Sequence, residues 1–114
     1  MEDIKMNKYI MITTTFDNEE EANKVITALL EKRLVSCCQM SNITSSYQWK
    51  GSIAHEKEFL VQIKTRKELY EEVEKTILEL HSYETPQILA YDITLGYKGY
   101  LDWIDEETKQ STSI

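Results

Sequence analysis

The sequence is poor in the residues that break or cross-link a chain: among 114 residues it has three glycines, one proline and two cysteines. No stretch has the composition of a linker, so we expect one domain over residues 1–114 with an ordered core at about 8–105. Cys37 and Cys38 are neighbours whose side chains point to opposite sides of an extended chain, which argues against a disulfide between them. Unpaired thiols are typical of a reducing compartment, and we expect a cytoplasmic protein.

Long apolar runs and an excess of positive charge are also missing. No apolar run approaches the roughly 18 residues that a membrane-spanning helix needs. The first residues lack the basic start and apolar core of a secretory signal. The net charge is −7, which argues against nucleic acids and membranes as partners because both select basic surfaces. The same negative charge is compatible with cations as ligands.

The motifs of the common enzyme classes do not occur either. The sequence contains no Gly-x-Ser-x-Gly elbow, no phosphate-binding loop and no Gly-x-Gly-x-x-Gly. No residues form a recognisable nucleophile set. We therefore expect a protein that is not an enzyme.

Hydrophobic periodicity predicts an α+β protein with the order β-α-β-β-α-β. β-branched and alternating runs predict strands at residues 9–15, 35–47, 52–65 and 87–95. Apolar residues at helical spacing predict helices at about 17–33 and 65–81, with buried stripes at Ala22, Val25, Ile26, Leu29 and Leu30 and at Leu69, Val73, Ile77 and Leu80. This order is the ferredoxin-like fold, an antiparallel sheet with both helices on one face.

Local signals set the predicted ends of these elements. Asp17 and Thr65 precede a glutamate by three residues, as in a capping box. Pro86 is expected at the first position of the last strand, where a missing N–H is tolerated. A short helix is predicted at residues 97–104. Residues 1–7 are interpreted as a polar lead-in, and residues 106–114 are expected to fray.

The predicted hairpin and last strand indicate an oligomer. Strands two and three run to about a dozen residues each, which is about twice the usual length. The last strand is apolar on both sides, since Ile88 and Ala90 face one way and Leu89, Tyr91, Ile93 and Leu95 face the other. One side packs on the helices, and the other would leave an apolar patch in water. In an oligomer, sheets from different copies would pack together and cover this patch. The alternative is that the C-terminal helix of the same chain covers it.

Several polar residues have two interpretations. His81 near the end of the second helix either bonds free backbone carbonyls locally or serves as a metal ligand. Glu56 and Glu58 share one side of a strand, and they either hold a divalent cation or are solvated charges. Lys64, Arg66 and Lys67 at the start of the second helix are either an anion site or an exposed corner.

The sequence as a whole resembles the CutA family of divalent-ion tolerance proteins. The resemblance covers roughly residues 8–105. It depends on LLEKRLVSCCQM at 29–40, SYQWKGSI at 46–53, KT at 64–65, HSYETPQI at 81–88 and GYKGYLDWI at 96–104. It implies a ferredoxin-like homotrimer whose long hairpin, with Tyr47, Trp49 and Gly51, clasps its neighbours. It also implies tolerance to divalent metals, with copper among them, and no reaction.

The chain departs from the family pattern at positions that matter for metal. Thr13 stands where some members have a cysteine, and Leu80 precedes His81 where they have a histidine pair. We therefore predict that a metal, copper(II) or another divalent cation, binds weakly through His81 and Glu84. Lys64, Tyr83 and Trp49 are predicted to line a cleft between subunits. A small-molecule sensor like the PII proteins, or a scaffold for a protein partner, is the alternative.

Overall fold

The computed structural model describes residues 8–110, which form four strands and three helices. They are β1 (Tyr9–Phe16), α1 (Glu19–Glu31), β2 (Cys37–Trp49), β3 (Ser52–Arg66), α2 (Tyr70–Leu80), β4 (Ile88–Ile93) and α3 (Lys98–Glu107). The strands form one antiparallel sheet with the order β2-β3-β1-β4. The predicted ferredoxin-like arrangement is therefore confirmed. The polar lead-in at 1–7 and the last part of the predicted frayed tail, residues 111–114, lie outside the described residues.

The core lies between the sheet and helices α1 and α2. Its fully buried side chains include Ile12, Phe16, Leu29, Ile63, Val73 and Ile77. Because side chains alternate along a strand, Thr13 and Thr15 of β1 point to the other side of the sheet, together with their partners on β3 and β4. We call this side the open face. None of the helices in residues 8–110 has the length and apolar character needed to cross a membrane.

The predicted helix starts were wrong in detail. Asn18, not Asp17, caps α1: its side-chain oxygen accepts a hydrogen bond from the Glu21 N–H at 2.8 Å. Thr65 caps no helix, because β3 continues to Arg66 in order to pair with Tyr9. The buried Thr65 hydroxyl donates to the Leu34 carbonyl instead. A 3-10 turn then leads into α2.

Other predicted boundaries also shift, for reasons of pairing and packing. β4 stops at Ile93 because its partner strand begins at Tyr9, and Pro86 lies before the strand rather than in it. Leu30 is 41% exposed and Leu80 is 37% exposed, so the buried stripes of α1 and α2 are narrower than predicted.

The β2–β3 hairpin extends well past the rest of the sheet. Its strands pair from Cys37 opposite Lys64 to Trp49 opposite Ser52, whereas β1 stops at the level of Phe59. We call residues 43–58 the projecting hairpin. Lys50 and Gly51 form its turn, with φ of 49° and 83°. Two left-handed residues make a tight hairpin turn whose twist matches that of the strands.

Helix α3 packs on one end of the open face. The Tyr9 hydroxyl donates to Asp105 at 2.7 Å. The buried Arg66 guanidinium donates to the Thr108 hydroxyl and to the Lys109 carbonyl, and it pairs with Glu68 at 2.6 Å. The expectation that the chain frays from residue 106 is thus wrong as far as Lys109.

The C-terminal helix nevertheless leaves much of the open face uncovered. On β4, Leu89 is 49% exposed and Tyr91 is 47% exposed. The alternative in which α3 covers this apolar side therefore fails for β4. The oligomer stays a prediction, and this surface is available to it.

Candidate functional site

The largest concentration of polar candidates surrounds a cavity of about 650 Å³ between the projecting hairpin, the end of β1 and residues 83–87. We call it the acidic cleft. Four carboxylates line it, those of Asp17, Glu56, Glu58 and Glu84, and so do three aromatic side chains, those of Tyr47, Trp49 and Tyr83. Glu56 and Glu58 face it together because they are two residues apart on β3. Residues 83–85 reach it because α2 ends at Leu80 and the chain then becomes extended.

Glu58 is the most deeply buried of the four carboxylates, at 8% exposure. Its two oxygens accept hydrogen bonds from the Ser45 hydroxyl at 2.6 Å and from the Tyr83 hydroxyl at 2.7 Å. Burial, and next the hydrogen bond to Glu58, raise the pKa of Tyr83 well above its ordinary value. Among residues 8–110, no lysine, arginine or histidine forms an ion pair with Glu58.

The outer wall of the acidic cleft is aromatic. The Tyr47 hydroxyl donates to Glu56 at 2.9 Å, and this hydrogen bond raises the pKa of Tyr47. The rings of Tyr47 and Trp49 lie 6.5 Å apart and nearly perpendicular. The Lys50 ammonium lies 5.3 Å from the centre of the Trp49 ring.

His81 lies next to Tyr83, with its side chain fully buried. Its ring stacks on Phe16 at 4.3 Å and contacts the Tyr83 ring at 4.7 Å. Nε2 lies 2.7 Å from the Thr15 carbonyl, and Nδ1 accepts the Tyr83 N–H at 3.2 Å. Because a carbonyl only accepts, we assign the proton to Nε2. The carbonyl that the ring contacts belongs to β1 and not to the end of α2, so the bond differs from the local one that was predicted. A ligand role stays a prediction that requires one of these bonds to break.

Not every predicted residue comes to the cleft. Trp49, Tyr83 and Glu84 do, and Tyr47 joins them. Lys64 instead donates to Gln39 at 2.6 Å, on β3 opposite Cys37. Gly51 serves the hairpin turn.

The predicted anion site at the start of α2 is not assembled. Arg66 is buried and paired with Glu68, and Lys67 lies 3.9 Å from Asp92. The three positive groups predicted there therefore do not converge on one point. Asp17 is a cleft residue that sequence reasoning missed, since no spacing links it to the hairpin.

The two cysteines separate as their alternation predicts. Cys38 packs against the core, and burial raises the pKa of its thiol to about 12. Cys37 faces the opposite side of the sheet. Nowhere in residues 8–110 do three His, Cys, Asp or Glu side chains come close enough together to hold a metal ion.

Comparisons with known proteins agree on one family. The family model described as CutA1 divalent ion tolerance protein matches residues 10–107. A Pyrococcus horikoshii protein named divalent-cation tolerance protein CutA is 40% identical over 101 residues, which are 89% of this chain and 99% of that protein.

Solved structures lead to the same family. The Archaeoglobus fulgidus protein, described as periplasmic divalent cation tolerance protein CutA, aligns with a TM-score of 0.86 at 40% identity, over 89% of this chain and 99% of that one. CutA1 from Oryza sativa aligns with a TM-score of 0.87 at 28% identity, over 91% of this chain and 96% of that one.

Proposed function

Because the chain belongs to the CutA1 divalent ion tolerance family, we propose that it is a non-enzymatic protein that binds divalent cations, works as a homotrimer and resides in the cytoplasm. Family membership connects it with divalent cations in general. The binding site, the preferred ion and the assembly are our proposals. The observation that carries the cation site is the buried Glu58 carboxylate, which has no positive partner among residues 8–110 and faces a cleft with three further carboxylates.

The donor atoms of the acidic cleft suit a hard divalent cation such as Mg²⁺ or Mn²⁺. Carboxylate oxygens are the ligands that such ions prefer, with water filling the remaining positions. Glu56, Glu58 and Glu84 are the residues that we expect to hold the ion. Because one chain presents no ready-made set of three ligands, we expect weak binding.

Copper(II) binding through His81 and Glu84 is the alternative for the same region. Copper(II) favours imidazole nitrogen, but both ring nitrogens of His81 are hydrogen bonded. Copper could bind there only if the ring released the Thr15 carbonyl or the Tyr83 N–H. We therefore expect copper(II) to stabilise the protein less than its affinity for free imidazole suggests.

The homotrimer is supported by two surfaces that a single chain leaves unburied. The first is the open face, with Leu89 and Tyr91 half exposed. The second is the tip of the projecting hairpin, where Trp49 is 55% exposed and Ile53 is 63% exposed. Contact between the tip of one copy and the open face of the next would bury both.

Thermal unfolding at rising Mg²⁺, Mn²⁺ and copper(II) tests the cation site. A ligand of the folded state raises the midpoint once its concentration passes the dissociation constant. We expect Mn²⁺ to raise the midpoint of the wild type, and Glu58→Gln to remove most of the rise. Glu79→Gln, which makes the same charge change on α2 outside the cleft, should behave as the wild type.

The results distinguish the carboxylate site from the His81 and Glu84 pair, and they test the trimer separately. A rise that only copper(II) produces, and that Glu84→Gln removes while Glu58→Gln does not, would favour the His81 and Glu84 pair. No rise with any ion would reject cation binding by this chain. The solution mass should be about three times 13.4 kDa, and a monomeric mass would reject the trimer.

A further inference from the structure

The segment between α2 and β4 carries two cleft residues on a backbone without regular secondary structure. Residues 81–87 lie between Leu80, the last residue of α2, and Ile88, the first residue of β4. Tyr83 and Glu84 of this segment line the acidic cleft. A backbone outside helices and strands has no ladder of hydrogen bonds to fix it. The direction of these two side chains therefore depends on other contacts.

Two successive backbone N–H groups of the segment donate to side chains. The Ser82 N–H donates to the Glu21 carboxylate at 2.8 Å, and the Tyr83 N–H donates to Nδ1 of His81 at 3.2 Å. His81 is a neighbour in sequence, whereas Glu21 lies on α1, 61 positions before Ser82. A hydrogen bond to an ionised carboxylate is stronger than one to a neutral acceptor. Glu21 therefore ties the backbone of this segment directly to α1.

Glu21 is the third residue of α1, and its carboxylate has an unusual partner for that position. In a capping box, the side chain of the third residue bonds back to the N–H of the cap residue. Here the backbone N–H of Glu21 donates to the Asn18 side chain at 2.8 Å, and the Glu21 carboxylate accepts from Ser82 instead. The carboxylate also lies 3.6 Å from Nδ1 of His81, and the Glu21 side chain is 17% exposed. The helix cap and the contact to the segment thus use different atoms of one residue.

The position of the segment affects two of the three residues that we expect to hold a cation. Glu84 belongs to the segment. Glu58 lies on β3, but one of its oxygens accepts the Tyr83 hydroxyl at 2.7 Å. A shift of the segment would move Glu84 and remove a donor from Glu58 at the same time.

We propose that Glu21 is a positioning residue of the cation site, which directs Tyr83 and Glu84 into the acidic cleft by holding the Ser82 N–H. The inference rests on the proposed function, because a positioning residue needs a site to serve. Glu21 is not among the residues that line the cleft, so it acts through the segment and not by contact with the ion. Replacing residues that orient metal ligands typically lowers the affinity by about tenfold or more.

Three variants separate the hydrogen bond from the charge. Glu21→Ala removes the carboxylate but keeps the backbone N–H that caps α1, and alanine has the highest helix propensity, so this variant should fold. Glu21→Gln removes the charge and keeps an oxygen that can accept from the Ser82 N–H. Glu20→Ala removes the same charge from the neighbouring exposed position, and it is the control for the overall field of the protein.

The test is a Mn²⁺ titration of the full chain, with the free ion measured by electron paramagnetic resonance. We expect Glu21→Ala to bind Mn²⁺ about tenfold more weakly than the wild type. Glu21→Gln and Glu20→Ala should bind it with an affinity close to that of the wild type. Amide hydrogen exchange at Ser82 and Tyr83 should become faster in Glu21→Ala and stay unchanged in the other two variants.

The outcomes distinguish this inference from the proposed function. If the wild type and Glu21→Ala bind Mn²⁺ equally well, Glu21 has no positioning role and the cation site stands, even if hydrogen exchange is faster. If all three variants weaken binding to the same extent, the effect is one of charge and the inference is wrong. If the wild type binds no Mn²⁺, the cation site is rejected and the positioning role with it. Weak binding by Glu21→Ala that Glu21→Gln restores supports the inference.

Discussion

The Tyr83 hydroxyl donates a hydrogen bond to the buried Glu58 carboxylate, 2.7 Å away, across 25 positions of the sequence. This bond joins the extended segment after α2 to the projecting hairpin. The same segment holds His81 against Phe16 and the Thr15 carbonyl. The walls of the acidic cleft are therefore fixed relative to one another by polar contacts as well as by the sheet.

Tyr83→Phe should destabilise the protein although it removes one oxygen atom. It leaves a buried carboxylate oxygen without its donor, which costs about 1–3 kcal/mol. Urea unfolding measures the loss. Tyr97→Phe makes the same change at an exposed position before α3 and should leave the free energy of unfolding unchanged. Equal stability of the two variants would mean that water replaces the Tyr83 hydroxyl at no cost.

Tyr9 should make stability fall at alkaline pH. Burial, followed by the hydrogen bond to Asp105, raises the pKa of Tyr9 to about 12, whereas the unfolded value is about 10. The folded state therefore keeps the proton longer than the unfolded state does. Its contribution is complete below pH 10 and disappears as the pH rises from 10 to 12.

Urea unfolding of the wild type and Tyr9→Phe across that range checks this prediction. The stability difference between them should shrink above pH 10, since the wild type alone loses the Tyr9 contribution. Other tyrosines with raised pKa values affect both proteins alike. A constant difference from pH 9 to pH 12 would contradict the assignment.

The Cys38 thiol should resist alkylation in the folded protein. Burial raises its pKa to about 12, and the thiolate is the form that reacts. In Cys37→Ser, iodoacetamide at about pH 8 should modify Cys38 far more slowly than it modifies the same variant in denaturing urea. Mass spectrometry measures the rates. Equal rates would show that β2, the edge strand that contains Cys38, separates readily from the rest of the sheet.

Arg66→Lys should loosen α3. The planar guanidinium reaches Glu68, Thr108 and the Lys109 carbonyl at once, and an ammonium cannot copy this geometry. We expect a loss of about 2 kcal/mol in urea, with faster amide hydrogen exchange at residues 104–109. Arg33→Lys is the comparison: the Arg33 guanidinium also reaches α3, at the Glu106 carbonyl and Glu107, but it is exposed, so its loss should be a few tenths of a kcal/mol. Unchanged exchange in α3 would show that Ile104 alone holds the helix.

Periodicity predicted the order of the elements correctly, and it failed where tertiary pairing decides the ends. Thr65 has the spacing of a helix cap, yet β3 continues through it because Thr65 and Arg66 pair with Ile10 and Tyr9 of β1. Leu80 fits the helical stripe, but it lies where α2 already leaves the core. Local signals could not report either fact.

The site was predictable in part. The resemblance drew attention to Trp49, Tyr83 and Glu84, and the structure places all three at one cleft. Their convergence on Glu58 depends on the strand register and on where the chain turns after α2. The burial of both His81 nitrogens depends on the backbone of β1. Neither is visible in a linear sequence.

The two-residue turn at Lys50 and Gly51 has a consequence for the walls of the cleft. Residues on β3 alternate between acidic ones that face the cleft, Glu56 and Glu58, and basic ones that face away, His55 and Lys57. Shifting a strand by one residue turns each side chain to the other side of the sheet. The pairing of β3 with β1 fixes the direction of its side chains, so a turn that is one residue longer or shorter would turn β2 instead, and Tyr47 and Trp49 would leave the side of Glu56 and Glu58. The length of a turn outside the cleft therefore decides whether the aromatic and the acidic side chains share one side of the hairpin.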